Sequence, residues 1–233
     1  MIDVTQPDRL AFLQGLEGDP DTRAPTEGWR VNNSSLEDYF GPVKLDGHPE
    51  GVLGIIQRQI GDTEGNAGID IAGGTNGVAL QELLKMGLLE NALVTNYRNR
   101  PNWRARKAGI DYVRGNILLP KTWQKIIDWQ EEQAPEGLAL VMHRPDGGMQ
   151  SLSTDFYEGV VHLLLDVVGP KGVMFTQVPQ ILRHRRPEEL AAICEGVKTR
   201  PDVEEILVPK PPQNPKQAAV RMPKKDCVVI IKR

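Results

Sequence analysis

Cysteine is scarce. Cys194 and Cys227 are the only two, and they form no CxxC pair. That excludes a disulfide framework, and a chain of 233 residues can bury enough surface to need none. The four histidines, His48, His143, His162 and His184, stand far apart and give no HExxH or similar ligand spacing. No metal centre is expected. No apolar run approaches the ~20 residues of a membrane helix, and the opening MIDVTQPDRL lacks the apolar stretch of a signal peptide. A soluble, cytoplasmic protein with no membrane partner is expected. There is no excess of positive charge: 28 Lys and Arg face 31 Asp and Glu, for a formal net charge of −3. This speaks against a broad basic face, so a nucleic-acid partner is not indicated.

What is present is a regular alternation. Residues 1–50 are rich in Gly, Pro, Asp and Asn, with one short amphipathic stretch at Leu10, Leu13 and Leu16. They read as an N-terminal extension or lid, in which Tyr39 and Phe40 either cover a ligand or simply pack. Residues 51–233 read as the core, and the whole of 1–233 as one domain. Val52, Ile55, Ile56 and Ile60 recur at helical spacing. GIDIAGG is a buried-strand run stopped by glycines, and VALQELLKMG is a helix ended by Gly87. ALVTNY, IDYVRGNIL, GLALVMH and GVMFTQV follow as strands. Helices lie between them at TWQKIIDWQEE, with Pro120 ahead, and at FYEGVVHLLLDVV, with GPKG as the turn into the fifth strand. PEELAAICEGVK is the last helix, and VEEILV and CVVIIKR are the last strands, with no helix between them. The pattern predicts an α/β fold, a three-layer sandwich around a seven-stranded, mostly parallel sheet that closes with an antiparallel hairpin.

The densest signal is GIDIAGGTNGVAL, residues 68–80. Asp70 ends a strand, Gly73, Gly74 and Gly77 lie in the turn, and a helix follows at once. Free N–H groups at that helix start, with close backbone approach at glycine, suit an anionic group. The dinucleotide spacing GxGxxG is not met. GGTNG is similar to the turn of short-chain dehydrogenases, but no tyrosine is followed by lysine four residues later, and GxxxxGK[ST] is absent.

Asp70, Ala72, Gly74 and Asn76 resemble the first motif of class I, Rossmann-like S-adenosylmethionine-dependent methyltransferases, an acid followed by GxGxG. Ala72 and Asn76 replace two of its glycines; Asn76 tolerates a left-handed backbone, and Gly77 stands beside it. The resemblance covers roughly residues 50–233. It implies S-adenosylmethionine as cofactor, with Asp70 at the methionine amino end. The backbone of Ala72, Gly73, Gly74, Thr75, Asn76 and Gly77 would line the methionine and ribose. Asn96, with Tyr97 beside it, stands where the family places an acid on the ribose. Gly115, Asn116 and Ile117 stand at the adenine, again with an amide in place of an acid. The order and spacing of these motifs carry the resemblance.

VMHRPDGGMQSL follows the fourth strand, where the family presents the transferable methyl group. His143 is the candidate general base, its reference pKa lying near neutrality, and a further cofactor contact; Arg144 is the candidate substrate contact. Of the Asn-Pro-Pro-Tyr motif of amine methyltransferases only Pro145 is shared. Arg183 to Arg186 form a basic cluster that reads as a solvated loop. Trp123, Trp129 and Cys194 read as packing residues. The expected reaction is methyl transfer to a small-molecule acceptor. An RNA or protein methyltransferase docking through Arg183–Arg186 is one alternative, and a non-catalytic adenosyl-ligand-binding module is another.

Overall fold

The computed structural model describes residues 35–41, 43, 45–61, 65–71, 76–96, 100–115, 117, 119–143, 154–178, 182, 186–208 and 227–233. In chain order the elements are α1 (Leu36–Phe40), α2 (Gly51–Ile60), β1 (Ala67–Ile71), α3 (Val78–Lys85), β2 (Asn91–Asn96), α4 (Trp103–Lys107) and β3 (Ile110–Arg114). They continue with α5 (Pro120–Gln133), β4 (Leu138–His143), α6 (Thr154–Val167), β5 (Val168–Gln177), α7 (Pro187–Lys198), β6 (Val203–Leu207) and β7 (Cys227–Lys232). The strands form one sheet in the order β3-β2-β1-β4-β5-β7-β6. The β1, β2, β3, β4 and β5 pairings are parallel, and β7 runs antiparallel to both β5 and β6. This is the sheet predicted from the sequence, six strands in one direction and one reversed. Among the described residues no helix is long and apolar enough to cross a membrane.

Alternation along each strand divides the core. Ile69, Ile71, Val141, Met174, Val228 and Ile230 face α5, α6 and α7. Val94, Met142, Phe175, Val229 and Ile231 face the layer of α1, α2 and α3. The three-layer sandwich follows. Residues 36–45 contribute Leu36, Tyr39, Phe40, Val43 and Leu45 to the second layer. Phe175 receives the rings of Tyr39 and Phe40 edge-on, at centroid distances of 6.1 and 5.1 Å.

Punctuation explains most boundaries. Pro120 and Pro187 open α5 and α7 at positions where a missing N–H costs nothing. Gly87, with φ of 71°, ends α3, and Leu88 N–H reaches back to Leu83 O. Two short helices were not expected. α1 starts in a capping box between Ser35 and Asp38, and α4 is capped by Asn102, which accepts from Ala105 N–H at 3.0 Å. The fifth strand also departs from expectation. GPKG is no turn ahead of the strand; β5 already begins at Val168, and Lys171 takes a φ of 59° within it. The reason is backbone proximity. A Cβ on Gly137 would lie 2.4 Å from Gly169 Cα, so the two glycines let β4 and β5 pair down to Leu138–Val168 through a bulge.

Lys232 fixes the far end of α6. Its Nζ donates to Leu165 O and Val168 O at 3.2 and 2.7 Å and pairs with Asp202 at 3.0 Å. Arg200 holds both carboxylate oxygens of Asp202. These cations hold the Asp202 carboxyl far below its ordinary value.

Candidate functional site at the carboxyl ends of the strands

Strand order reverses between β1 and β4: β2 and β3 lie to one side, β5 to the other. In open α/β sheets such a switch point leaves a crevice at the carboxyl ends of the strands, where ligands bind. Asp70 and His143 stand there. Ile71 is in register with both Thr95 and His143, and His143 with Thr176.

Asp70 is 1% exposed. Both of its carboxylate oxygens accept from the Tyr39 hydroxyl, at 2.9 and 2.7 Å. A buried carboxylate needs such donors, and here α1 brings one from far along the chain. Tyr39 therefore packs and holds Asp70. The tyrosine was legible as a candidate contact, but its partner was not.

At the start of α3 the left-handed conformation falls on Gly77, φ 54° and ψ 41°, and not on Asn76. A Cβ at Gly77 would also come to 3.0 Å from Ile110 Cδ1. Asn76 is occupied differently: its Oδ1 accepts from the Asn102 side-chain amide, tying the turn to the cap of α4. Asn96 ends β2, half-buried, with its carbonyl accepting from Gly115 N–H at 3.1 Å. Gly115 has a packing reason to be glycine, because a Cβ there would meet Thr122 Oγ1 at 2.3 Å. Ile117 is buried in the α5-side core, and its carbonyl accepts from Trp123 Nε1 at 2.6 Å. Ala72, Gly73, Gly74, Thr75, Tyr97, Asn116 and Arg144 lie outside the described residues, as do Arg183, His184 and Arg185.

His143 turns to the opposite face of the sheet from Asp70, toward α6. It is fully buried, with Nδ1 3.0 Å from Thr176 Oγ1, which in turn lies 3.2 Å from the Tyr157 hydroxyl. Either hydroxyl of the Tyr157–Thr176 pair can be the donor, and Thr176 Oγ1 also lies 3.5 Å from Gln177 O. His143 Nδ1 accepts from Thr176 in one tautomer of the neutral ring and donates to it in the other. In both, Nε2 has no hydrogen-bond partner among the described residues. Burial pushes the His143 pKa down to about 3 and the Tyr157 pKa up. His143 is thus neutral near neutrality and too weak a base to match the general base expected from its reference pKa. Thr176 and Tyr157 carried no sequence signal, since their link to His143 comes only from strand register and from the helix that follows.

Thr176→Val keeps the shape but strands Tyr157 O–H and His143 Nδ1. Each buried orphan costs about 1–3 kcal/mol, so a loss of about 2–4 kcal/mol in urea unfolding is expected, with Tyr157→Phe milder at about 1 kcal/mol. A Thr176→Val protein as stable as the parent would show that the chain of hydrogen bonds does not exist.

Trp123 and Cys194 are buried in the α5–α7 layer, and Trp129 packs against it while donating to Asp111 at 2.8 Å.

No protein-family model matches the chain, and no curated protein matches it. Solved structures align across much of it. One is a candidate S-adenosylmethionine-dependent methyltransferase from Streptococcus mutans, at 13% identity over 77% of this chain and 47% of that one, TM-score 0.44. The chain thus spans about half the length of that protein. Another is precorrin 8w decarboxylase from Methanobacterium thermoautotrophicum, at 12% identity over 78% and 88%, TM-score 0.43. A third is a candidate rRNA methylase from Clostridium thermocellum, at 9% identity over 73% and 88%, TM-score 0.44. The fold rests on this chain's own strand order and reversed β7, the Rossmann-like arrangement implied by its resemblance to class I S-adenosylmethionine-dependent methyltransferases.

Proposed function

We propose that the chain binds S-adenosylmethionine across the carboxyl ends of β1, β2 and β4 and transfers its methyl group to a nucleophile. The observation that carries this reading is His143 Nε2, buried at the switch point on the strand next to that of Asp70 but on the other face of the sheet, with no hydrogen-bond partner among the described residues. A buried ring nitrogen without a partner calls for a ligand atom or an ordered water. When bound, the cofactor supplies an electrophilic methyl group, so the protein's task is alignment and exclusion of water. Asp70 would take the methionine ammonium, directly or through water. The backbone of Ala72 to Gly77 would line the methionine and ribose. Asn96, with Tyr97, would hold the ribose hydroxyls, and Asn116, with Gly115 and Ile117, the adenine. His143 would form a hydrogen bond through Nε2 with the bound ligands, and Arg144 would contact the acceptor. Calorimetry with S-adenosylmethionine, S-adenosylhomocysteine and NAD tests this. Both adenosyl-sulfur ligands are expected to bind; binding of NAD alone would overturn the reading.

A further inference from the structure

The net charge of −3 hides a local excess of the other sign. Between Glu90 and Asp111 the chain has no acid but carries Arg98, Arg100, Arg104, Arg106 and Lys107. Arg100, Arg104, Arg106 and Lys107 are exposed, as is Arg114 at the end of edge strand β3. Tyr112, on the same strand, feels the positive charge of both Arg100 and Arg114. None of these five cations makes an ion pair among the described residues. In their midst Trp103 is 60% exposed, with the Arg104 guanidinium 5.6 Å from its ring centroid.

Charges on an edge strand can serve to block pairing with another sheet. They do not account for an indole that is largely exposed. Unpaired cations around a flat aromatic face suit a polyanion that has flat faces of its own. From this we infer that α4 and the end of β3 form a docking surface for single-stranded nucleic acid. Phosphates would lie on Arg100, Arg104, Arg106, Lys107 and Arg114, and an unpaired base would stack on Trp103. An anionic membrane fits less well: α4 has five residues, and its one apolar residue besides Trp103, Ala105, is buried.

The surface adjoins the candidate site, because the Asn102 amide that caps α4 is bonded to Asn76 ahead of α3. Under the methyl-transfer reading, the nucleophile would be carried by nucleic acid and not by the small molecule expected from overall charge. Docking itself does not depend on that reading and is measured without S-adenosylmethionine.

The test is fluorescence anisotropy of the full chain with labelled oligouridine RNA and oligothymidine DNA, a duplex competitor, and vesicles rich in phosphatidylserine. Binding is expected to favour single strands and to weaken about fiftyfold between 50 and 200 mM salt if about four phosphates are neutralised. Trp103→Ala should weaken it about fivefold or more, as loss of one stacked base does. Arg104→Glu with Arg106→Glu should weaken it at least about tenfold, while Lys121→Glu with Lys125→Glu, the same charge change on exposed α5 positions, should have little effect. Preference for RNA or DNA identifies the source of the strand. No oligonucleotide binding, an equal loss in the α5 control, or binding to vesicles but not oligonucleotides would overturn the inference.

Discussion

Asp70→Asn is expected to weaken S-adenosylmethionine binding about tenfold or more while leaving the fold nearly as stable as the parent. Asparagine keeps an oxygen for the Tyr39 hydroxyl, which now donates to both carboxylate oxygens. It removes the negative charge proposed to meet the methionine ammonium. Hydrogen bonds to charged groups contribute about 1.5–3 kcal/mol, which sets the size of the loss. Asp70→Leu should bind no better and should also unfold more easily, by about 1–3 kcal/mol, because the buried hydrogen bonds from Tyr39 O–H to Asp70 are lost. The pair separates charge from packing. Calorimetry for binding and urea unfolding for stability read the two effects. An Asp70→Asn protein that binds the cofactor unchanged would remove Asp70 from the proposed site.

The second large effect is on acid stability. Burial lowers the His143 pKa in the folded protein to about 3, from an ordinary value of 6.5. Between those values the unfolded chain binds a proton that the folded one refuses. Stability therefore falls as pH drops through that window, at up to about 1.4 kcal/mol per pH unit from this one group. Asp202 has the opposite chemistry but the same direction of loss. Its folded pKa is depressed below 3.8 by Arg200 and Lys232, so its contribution is complete above that value and lost only below it. Glu50, whose carboxyl pKa is also lowered, from 4.5, adds its loss only near and below that value, so the fall between about pH 6 and 5 is the signature of His143. His143→Asn keeps an acceptor at the δ position for Thr176 and removes the titration. It should be less stable than the parent at pH 7 and lose much less on going to pH 4.5. Unfolding free energies at both pH values check this; parallel losses in parent and variant would show that His143 is not buried neutral.

What the sequence reveals is what it encodes locally. The helix from Pro187 to Lys198 shows its boundaries in a proline start and a four-residue apolar stripe, and α3 shows its end at Gly87. The strand alternation and the lack of helical periodicity in the sequence ahead of CVVIIKR point directly to the reversed β7. The site is only half legible in the same way. Asp70 and Gly77 announce themselves because a strand stops at glycines, but their partners come from elsewhere. Tyr39 reaches Asp70 across the α1 layer, Thr176 reaches His143 through strand register, and Asn102 reaches Asn76 across two turns. No periodicity in a single segment can show such pairings. The five-residue α4 was missed because one helical turn carries no periodic pattern; its cap at Asn102 and its exposed tryptophan emerge only in three dimensions. Charge misled for a related reason, since a sum over the chain cannot show where like charges gather.

The central claim is that the switch point between β1 and β4 holds an adenosyl ligand, and a crystal structure of the full chain with S-adenosylhomocysteine tests it most directly. The account predicts the methionine end beside Asp70, the ribose at Asn96, and a ligand atom or ordered water within hydrogen-bond distance of His143 Nε2. A ligand bound elsewhere, with His143 Nε2 still unpaired and Asp70 still sealed beneath Tyr39, would contradict it.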